Sequence, residues 1–370
     1  MLRSPRTHSP HSQPPHTLIS RQLTLISTES YFHRLPNMNS IRLRPAWCRN
    51  LAGARCSRHN TPTHCITSSR NSSSSSSAAA VSKAEANYKI IDRAADFEKK
   101  QASRPPFDNS NAPILVTKQP NPTWQYGDGV PGRDLTIPHR QIDPYAADRA
   151  MVDNYKLLIS AIAPRPIGLI STRGKDGSKN LAPFSYFQVV DHDPPTFIVG
   201  FSSRPGAEKD TFRNLQETGE CVINTVSEDM IEAVNAVAVD APHGVSEWAI
   251  SGLHEAPAAV VQASRVKESV FSAEAEVVDV KVLGEGKSGM SKAGVVMLKA
   301  VRFWVREDAT DEGGRTVDLE KLRPIAQLGG MAYGRVKETF ELPRRRWVDE
   351  VVKSERLAKM VNVREETKKD

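Results

Sequence analysis

Lys209, Asp210 and Thr211 form the triplet in this sequence that most directly suggests chemistry. They open a segment of helical pattern, Asp210 to Thr218, closed by Gly219. The first N–H groups of a helix have no partner within it, and the helix dipole adds partial positive charge there. Such a start favours an anion, phosphate above all. Lys209 adds a point charge and Thr211 a hydroxyl. Asp210 has a competing role as the helix cap. Arg204, beside Ser202 and Ser203, is a second cation in the same stretch, with an exposed loop charge as its competing role. Thr172 closes a short apolar run, where it is either another hydroxyl for the anion or an ordinary β-branched strand residue. Between these, Asn180 to Ser185 reads as a strand interrupted by Pro183. Proline releases neighbouring backbone groups from ladder pairing and leaves them to a ligand with a polar edge.

Other motifs fail on their surroundings. Two segments match Gly-x-Gly-x-x-Gly. Gly127, Gly129 and Gly132 follow no strand, and Pro131 removes an N–H that a phosphate-cradling turn needs. Gly284, Gly286 and Gly289 do follow a strand, but the segment from Gly294 reads as another strand, so no helix start meets the anion. Lys287-Ser288 mimics the end of a P-loop, yet Lys281 stands where that loop needs glycine. No histidine pair has metal-ligand spacing. His192 reads as a turn residue and His243 as a loop residue, so no metal site is expected. A Gly-x-Ser-x-Gly nucleophile elbow is absent. Arg344-Arg345-Arg346 reads as a solvated face at a helix start, with an anionic partner as the alternative.

The scaffold that must position these residues is mostly strand. Pro166 to Thr172, Leu181 to Val190, Thr196 to Ser202 and Cys221 to Val226 are short apolar runs. Phe271 to Leu283 and Val295 to Val305 are longer and alternate, with Val295, Met297, Val301, Phe303 and Val305 on one face. Helices are expected at Asp210 to Thr218, at Ser227 to Val239 and, exposed near the C-terminus, at Val348 to Met360. Many strands with few helices make a barrel or a sandwich.

The chain has 370 residues, with 50 Lys+Arg against 43 Asp+Glu and a net charge of +7. Residues 1–80 hold ten Arg, sixteen Ser and one acid (Glu29), so they carry +9 and the rest of the chain −2. The basic character therefore belongs to a leader, and a nucleic-acid partner is not expected. No run approaches the length of a membrane-spanning helix. The leader has the composition of a transit peptide, best in the stretch from Met38, and points to the mitochondrion. The alternatives are a disordered tail or a wrongly chosen start, which leave a cytoplasmic protein. Three of the four cysteines lie in the leader. Only Cys221 remains, which excludes a disulfide framework and a cysteine metal site. The expected organisation is a leader over 1–85, an extended arm over 86–145, one barrel over 146–345 and a C-terminal helix and tail over 346–370.

Pro164 to Thr225 resembles the flavin reductase-like, FMN-binding split-barrel family. The likeness is carried by Arg-Pro-Ile-Gly-Leu-Ile-Ser-Thr at 165–172, Asn-Leu-Ala-Pro-Phe-Ser at 180–185, Asp-Pro-Pro at 193–195, Lys-Asp-Thr at 209–211 and Cys-Val-Ile-Asn at 221–224. These occur in the family's order and at about its spacing, and the resemblance covers roughly residues 151–335. It implies a six-stranded antiparallel barrel of Greek-key type and a homodimer, with FMN (FAD as the alternative) at or near the dimer interface. It implies NADH or NADPH as electron donor and an acceptor such as a partner oxygenase. Implied cofactor contacts are Ser171, Thr172, Asn180, Leu181, Ala182, Pro183, Phe184, Ser185, Ser202, Ser203, Arg204, Lys209, Asp210 and Thr211, with the ring against 180–185. Phe184 then packs on the ring or in the core, and Ser185 hydrogen-bonds the ring. Ser246-Glu247 resembles a recurrent family element, with a loop or cap role as the alternative for Glu247.

A flavin carries the hard chemistry itself, so no strong acid or base is required and no proton donor is assigned. Two other readings stay open: a flavin-binding electron carrier without a nicotinamide site, and a barrel that serves only as an interaction module. Intact Asn180, Ser185, Lys209 and Thr211 weigh against the second. The arm, with Trp124, Tyr126 and Tyr145, covers either the flavin or the dimer seam.

Overall fold

The structure, a computed structural model, describes residues 96–366 apart from 207, 240, 243–244 and 284–289, with backbone alone beyond residue 360. The leader, the second glycine triplet with Lys287-Ser288, and His243 lie outside the described residues.

In chain order the arm contributes α1 (Phe97–Ala102) and β1 (Leu115–Thr117), followed by α2 (Met151–Ala161). The body contains β2 (Gly168–Arg173), β3 (Lys179–Phe184), β4 (Phe187–His192), β5 (Pro195–Phe201), α3 (Asp210–Thr218), β6 (Glu220–Asn224), α4 (Ile231–Ala236), α5 (Glu247–Ser251), β7 (Phe271–Leu283) and β8 (Ala293–Val305). The C-terminal part adds β9 (Ile325–Gln327), β10 (Tyr333–Arg335), β11 (Glu338–Phe340), α6 (Trp347–Lys353) and α7 (Glu355–Glu366).

Seven antiparallel strands form the main sheet, in the order β3-β2-β6-β7-β8-β5-β4. The expected run Leu181 to Val190 is thus two strands, split at Ser185-Tyr186, and the sheet has seven strands where the resemblance implies six. The split dictates the shape. β3 and β4 stand at opposite ends of the order, yet only two residues link them. A flat sheet of this size spans about 29 Å between its outer strands. The three Cα steps from Phe184 to Phe187 reach about 11 Å. The sheet must therefore roll until its two edges approach, which gives a barrel open along the β3/β4 seam.

Apolar side chains fill both sides of this rolled sheet. Ile170, Phe184, Phe197, Val199, Phe201, Phe212, Ile223, Val296 and Leu298 form one cluster. Leu169 and Leu181 point to the opposite face and pack with Met230, Val234 and Trp248 under α4 and α5. Each such side chain contributes about 1.5–3 kcal/mol by leaving water. On β8, Val296 and Leu298 are buried, Met297 is exposed and Val295 is half-buried, and register shifts at Met297/Leu298 and Ala300/Arg302 break the single face expected through Val305. The run Val-Val-Met-Leu is apolar on both faces, and alternation alone cannot choose between them. His192 ends β4 and opens the tight turn through Asp193-Pro194, pairing with Pro195 across it.

The arm and the C-terminus hold each other. Leu115, Val116 and Thr117 pair in parallel with Glu338, Thr339 and Phe340. Tyr126 donates to Glu350 at 2.8 Å, and the Arg345 guanidinium lies over the rings of Trp124 and Tyr126. The arginine run is an exposed face at the start of α6, as expected, and Arg345 within it also packs on the rings of the arm. The C-terminal helix is interrupted at Ser354 into α6 and α7.

α3, which carries the anion-favouring triplet, is fixed from both ends. Gly219 takes φ +76° and returns its N–H to Leu215, a left-handed cap that glycine adopts without strain. In the core, Phe212 stacks on Phe201 at 4.7 Å and lies against Gly294 of β8. A Cβ on Gly294 would meet the Phe212 ring at 2.5 Å, with the Lys281 carbonyl closing the other side. Gly294→Ala should therefore displace Phe212 and destabilise the protein by about 1–3 kcal/mol. Urea unfolding measures this, and an unchanged midpoint would contradict the packing described.

Candidate functional site

Two adjoining cavities lie at the seam. The larger, about 780 Å³, is bordered by Pro183 and Phe184 of β3, Ser185 and Tyr186 of the β3/β4 link, Gly200 and Phe201 of β5, and Ser202. Its outer walls come from Tyr155 and Ile159 of α2, from α4 and from Gln327, Met331 and Tyr333. The smaller, about 320 Å³, is polar, with Asn180, Arg204, Asp210, Thr211, Arg213 and Glu247 among its walls. Pro183, Lys209 and Ala238 border both.

A buried polar cluster ties the walls of the smaller cavity together. Asn180 Nδ2 donates to Thr211 Oγ1 at 2.8 Å and to Thr172 Oγ1 at 3.2 Å. Asn214 Nδ2 donates to the same Thr172 oxygen at 3.0 Å. The edge strand β3, its neighbour β2 and the first turn of α3 are thus joined through three amide hydrogen bonds. All four side chains are buried. Buried polar groups are costly unless satisfied, so these three hydrogen bonds hold the partners in one arrangement, with Asn214 Oδ1 left without a hydrogen-bond partner.

At the helix start, the N-cap is Lys209, which places no side chain on the first-turn amides. Asp210 is therefore not the cap. It is the first helical residue and pairs with Arg213 at 2.8 Å. On β3, the Leu181 amide leaves the sheet and donates to Glu247 Oε2 at 3.3 Å. Two residues on, at the next position of the same orientation, Pro183 has no N–H and offers a carbonyl alone.

The sequence-derived residues divide between wall and support. Asn180, Ala182, Pro183, Phe184, Ser185, Ser202, Arg204, Lys209, Asp210 and Thr211 line one cavity or the other. Ser171, Thr172, Leu181 and Ser203 line neither. Ser171 Oγ donates to the Ser264 carbonyl, and Ser203 Oγ donates to the Ser291 carbonyl at 2.6 Å. Thr172 belongs to the buried cluster, and the Leu181 side chain is fully buried under the helices. Phe184 does both things open to it, packing edge-on against Phe201 while facing the larger cavity.

Arg165 is a wall residue that sequence reasoning missed. It is 7% exposed and donates to the carbonyls of Ile159, Ile162 and Leu328 and, through Nε, to Ser185 Oγ. It draws α2 and the 327–333 segment onto the seam. The available signal was a charged residue directly before an apolar strand, where burial demands several acceptors.

Glu247 is 8% exposed in the wall of the smaller cavity. Burial pushes its carboxyl above the usual carboxylate range. The N–H groups of Glu247 and Leu181 pull the other way, and the charge on Asp210 adds to the rise. The native state therefore holds this proton more tightly than the unfolded chain. The resulting stability is full below the unfolded-chain pKa and is lost as pH rises through the native value. Glu247→Gln keeps an acceptor for Leu181 and cannot titrate. Its melting temperature should gain on the wild type between about pH 4 and about pH 8. Thermal unfolding at both ends tests this, and parallel curves would contradict it.

Residues 160–324 match the family model described as flavin reductase like domain. An uncharacterized protein of Halalkalibacterium halodurans is 40% identical over 193 residues, which is 52% of this chain and 91% of that protein. An uncharacterized protein of Aquifex aeolicus is 36% identical over 180 residues, 48% of this chain and 88% of that one. Among solved structures, nitrilotriacetate monooxygenase component B from Bacillus cereus is 32% identical with a TM-score of 0.51, covering 55% of this chain and 100% of that one. The matched region contains the rolled sheet, the seam and the helix start that borders both cavities. This chain belongs to the flavin reductase-like family and has its split-barrel fold.

Proposed function

We propose that this protein is an FMN-dependent oxidoreductase of the flavin reductase type, moving a hydride from NADH or NADPH to flavin and on to an acceptor. The observation that carries the reading is the pairing of cavities. A large compartment with aromatic and apolar walls adjoins a small polar one at a helix start, and FMN pairs a flat ring with a phosphate in the same way.

The donor set fits that group. The α3 amides, Lys209, Arg204 and Arg213 supply positive charge and donors at the smaller cavity. Glu208, Asp210 and Glu247 stand in the same walls. Arg213 offsets Asp210, and burial favours the neutral form of Glu247, so two of these three acids oppose a phosphate less than their number suggests. The β3 edge at Pro183 offers a backbone carbonyl to the polar edge of the ring, and Ser185 offers a hydroxyl. Phe184, Tyr186 and Tyr155 shield the ring compartment from water. Bound flavin would supply the hydride-accepting centre, leaving the protein to bind, orient and exclude solvent.

The Bacillus cereus relative is named as a component of a monooxygenase, which supports a partner oxygenase as acceptor here. A homodimer fits the apolar side chains left exposed on the sheet, Val189, Val190, Val278 and Phe303 among them.

Added FMN should give the full chain a protein-bound visible spectrum, and anaerobic NADH or NADPH should bleach it. Absence of bound flavin would overturn the proposal, and flavin that neither nucleotide bleaches would leave an electron carrier. Lys209→Ala should weaken FMN binding about 10- to 100-fold, the worth of one charged hydrogen bond, with unchanged far-UV circular dichroism. Equal affinity would refute the phosphate assignment. Light scattering should return twice the chain mass of 40.8 kDa; a monomer would remove the dimer.

A further inference from the structure

The larger cavity is closed in part by residues from outside the matched domain. Phe97 and Gln101 of α1 both border it. They stand four positions apart and so share one face of the helix, with Glu98 and Lys99 directed elsewhere. The helix has six residues, none of them buried. So short a helix does not hold itself in water, and its position needs outside support.

Part of that support comes from the chain just beyond it. The Arg335 guanidinium lies 3.8 Å from the Phe107 ring centroid and donates to the Asp108 carbonyl at 2.8 Å. Lys337 pairs with Asp108 at 3.0 Å. The Ile114 amide donates to Glu320, and β1 joins β11. These anchors fix the arm at its exit from α1. Arg335 also belongs to β10, whose Tyr333 borders the same cavity. Anchor and wall are therefore one piece of structure. The inner face of α1 has the cavity before it, and an aromatic side chain with an amide beside it suits a flat ring with a polar edge.

We propose that Phe97 and Gln101 are flavin-retaining residues: they close the ring compartment over the isoalloxazine and make the flavin a resident group instead of one exchanged at each turnover. This rests on the FMN reading above. A residue that closes a site after entry acts on departure, so the effect belongs in the dissociation rate.

The experiment uses the full chain with FMN, following release by flavin fluorescence after dilution. Phe97→Ala/Gln101→Ala should release FMN at least about 10-fold faster, with association unchanged within about twofold. Lys99→Ala, on the other side of α1, should release it at the wild-type rate. Trypsin gives a second readout that does not depend on turnover: FMN should slow cleavage after Lys99 and Lys100 in the wild type and not in the double variant. An unchanged release rate in the double variant, or cleavage indifferent to FMN in the wild type, overturns the proposal while FMN binding stands. A wild-type chain that takes up no FMN removes both the proposal and the reading beneath it.

Discussion

Two residues, Ser185 and Tyr186, join strands at opposite edges of a seven-stranded sheet, and the rest of the structure follows from that short link. It forces the sheet to roll, and the rolled sheet leaves a seam where the edges approach without pairing. An edge strand ordinarily invites another chain. Here the edge is drawn into the candidate site: Pro183 interrupts its row of donors, Leu181 gives its amide to Glu247, and the link itself forms part of the wall of the larger cavity. The position of the candidate site is therefore a consequence of topology before it is one of particular side chains.

A second constraint sets the distance between the two cavities. Asn180, Thr172, Asn214 and Thr211 bind the edge strand to the start of α3. These residues have the chemistry of ligand contacts, and part of their work is structural. They hold a helix start against a strand edge so that a ligand can meet both at once. Residues outside the matched domain then complete the enclosure. Phe97 and Gln101 come from the arm, and Met331 and Tyr333 come from the C-terminal segment. Arg335 and the β1/β11 pair fasten the two together.

Much of this was legible in the sequence, for identifiable reasons. Lys209 to Thr211 announced a helix start because Gly219 closed the same short pattern. Pro183 announced backbone groups released from ladder pairing, and it stands on the edge strand β3. Ser171 and Thr172 carry the right functional groups and turn them into buried packing, a choice made by sheet register that no local pattern reveals, and Ser203 spends its hydroxyl on the Ser291 carbonyl. The break of one apparent strand into β3 and β4 was hidden because Ser185-Tyr186 lacks glycine or proline to mark a turn. Arg165 and the arm were hidden for a different reason: both act through partners far away in sequence, Leu328 for Arg165 and Arg335 and Glu338 for the arm.

If FMN spans both cavities as proposed, the Thr172 cluster holds its phosphate end and its ring end in register. Riboflavin shares the ring and lacks the phosphate, so the ratio of its Kd to that of FMN reports the register directly. In the wild type this ratio should be about 100 or more, the worth of one or two charged hydrogen bonds. Thr172→Val removes the oxygen that Asn180 and Asn214 share and leaves the side chain the same size. The ratio should then fall several-fold, with riboflavin affinity nearly unchanged. A ratio that stays the same in Thr172→Val, or a wild type that binds riboflavin as tightly as FMN, would contradict that role of the cluster.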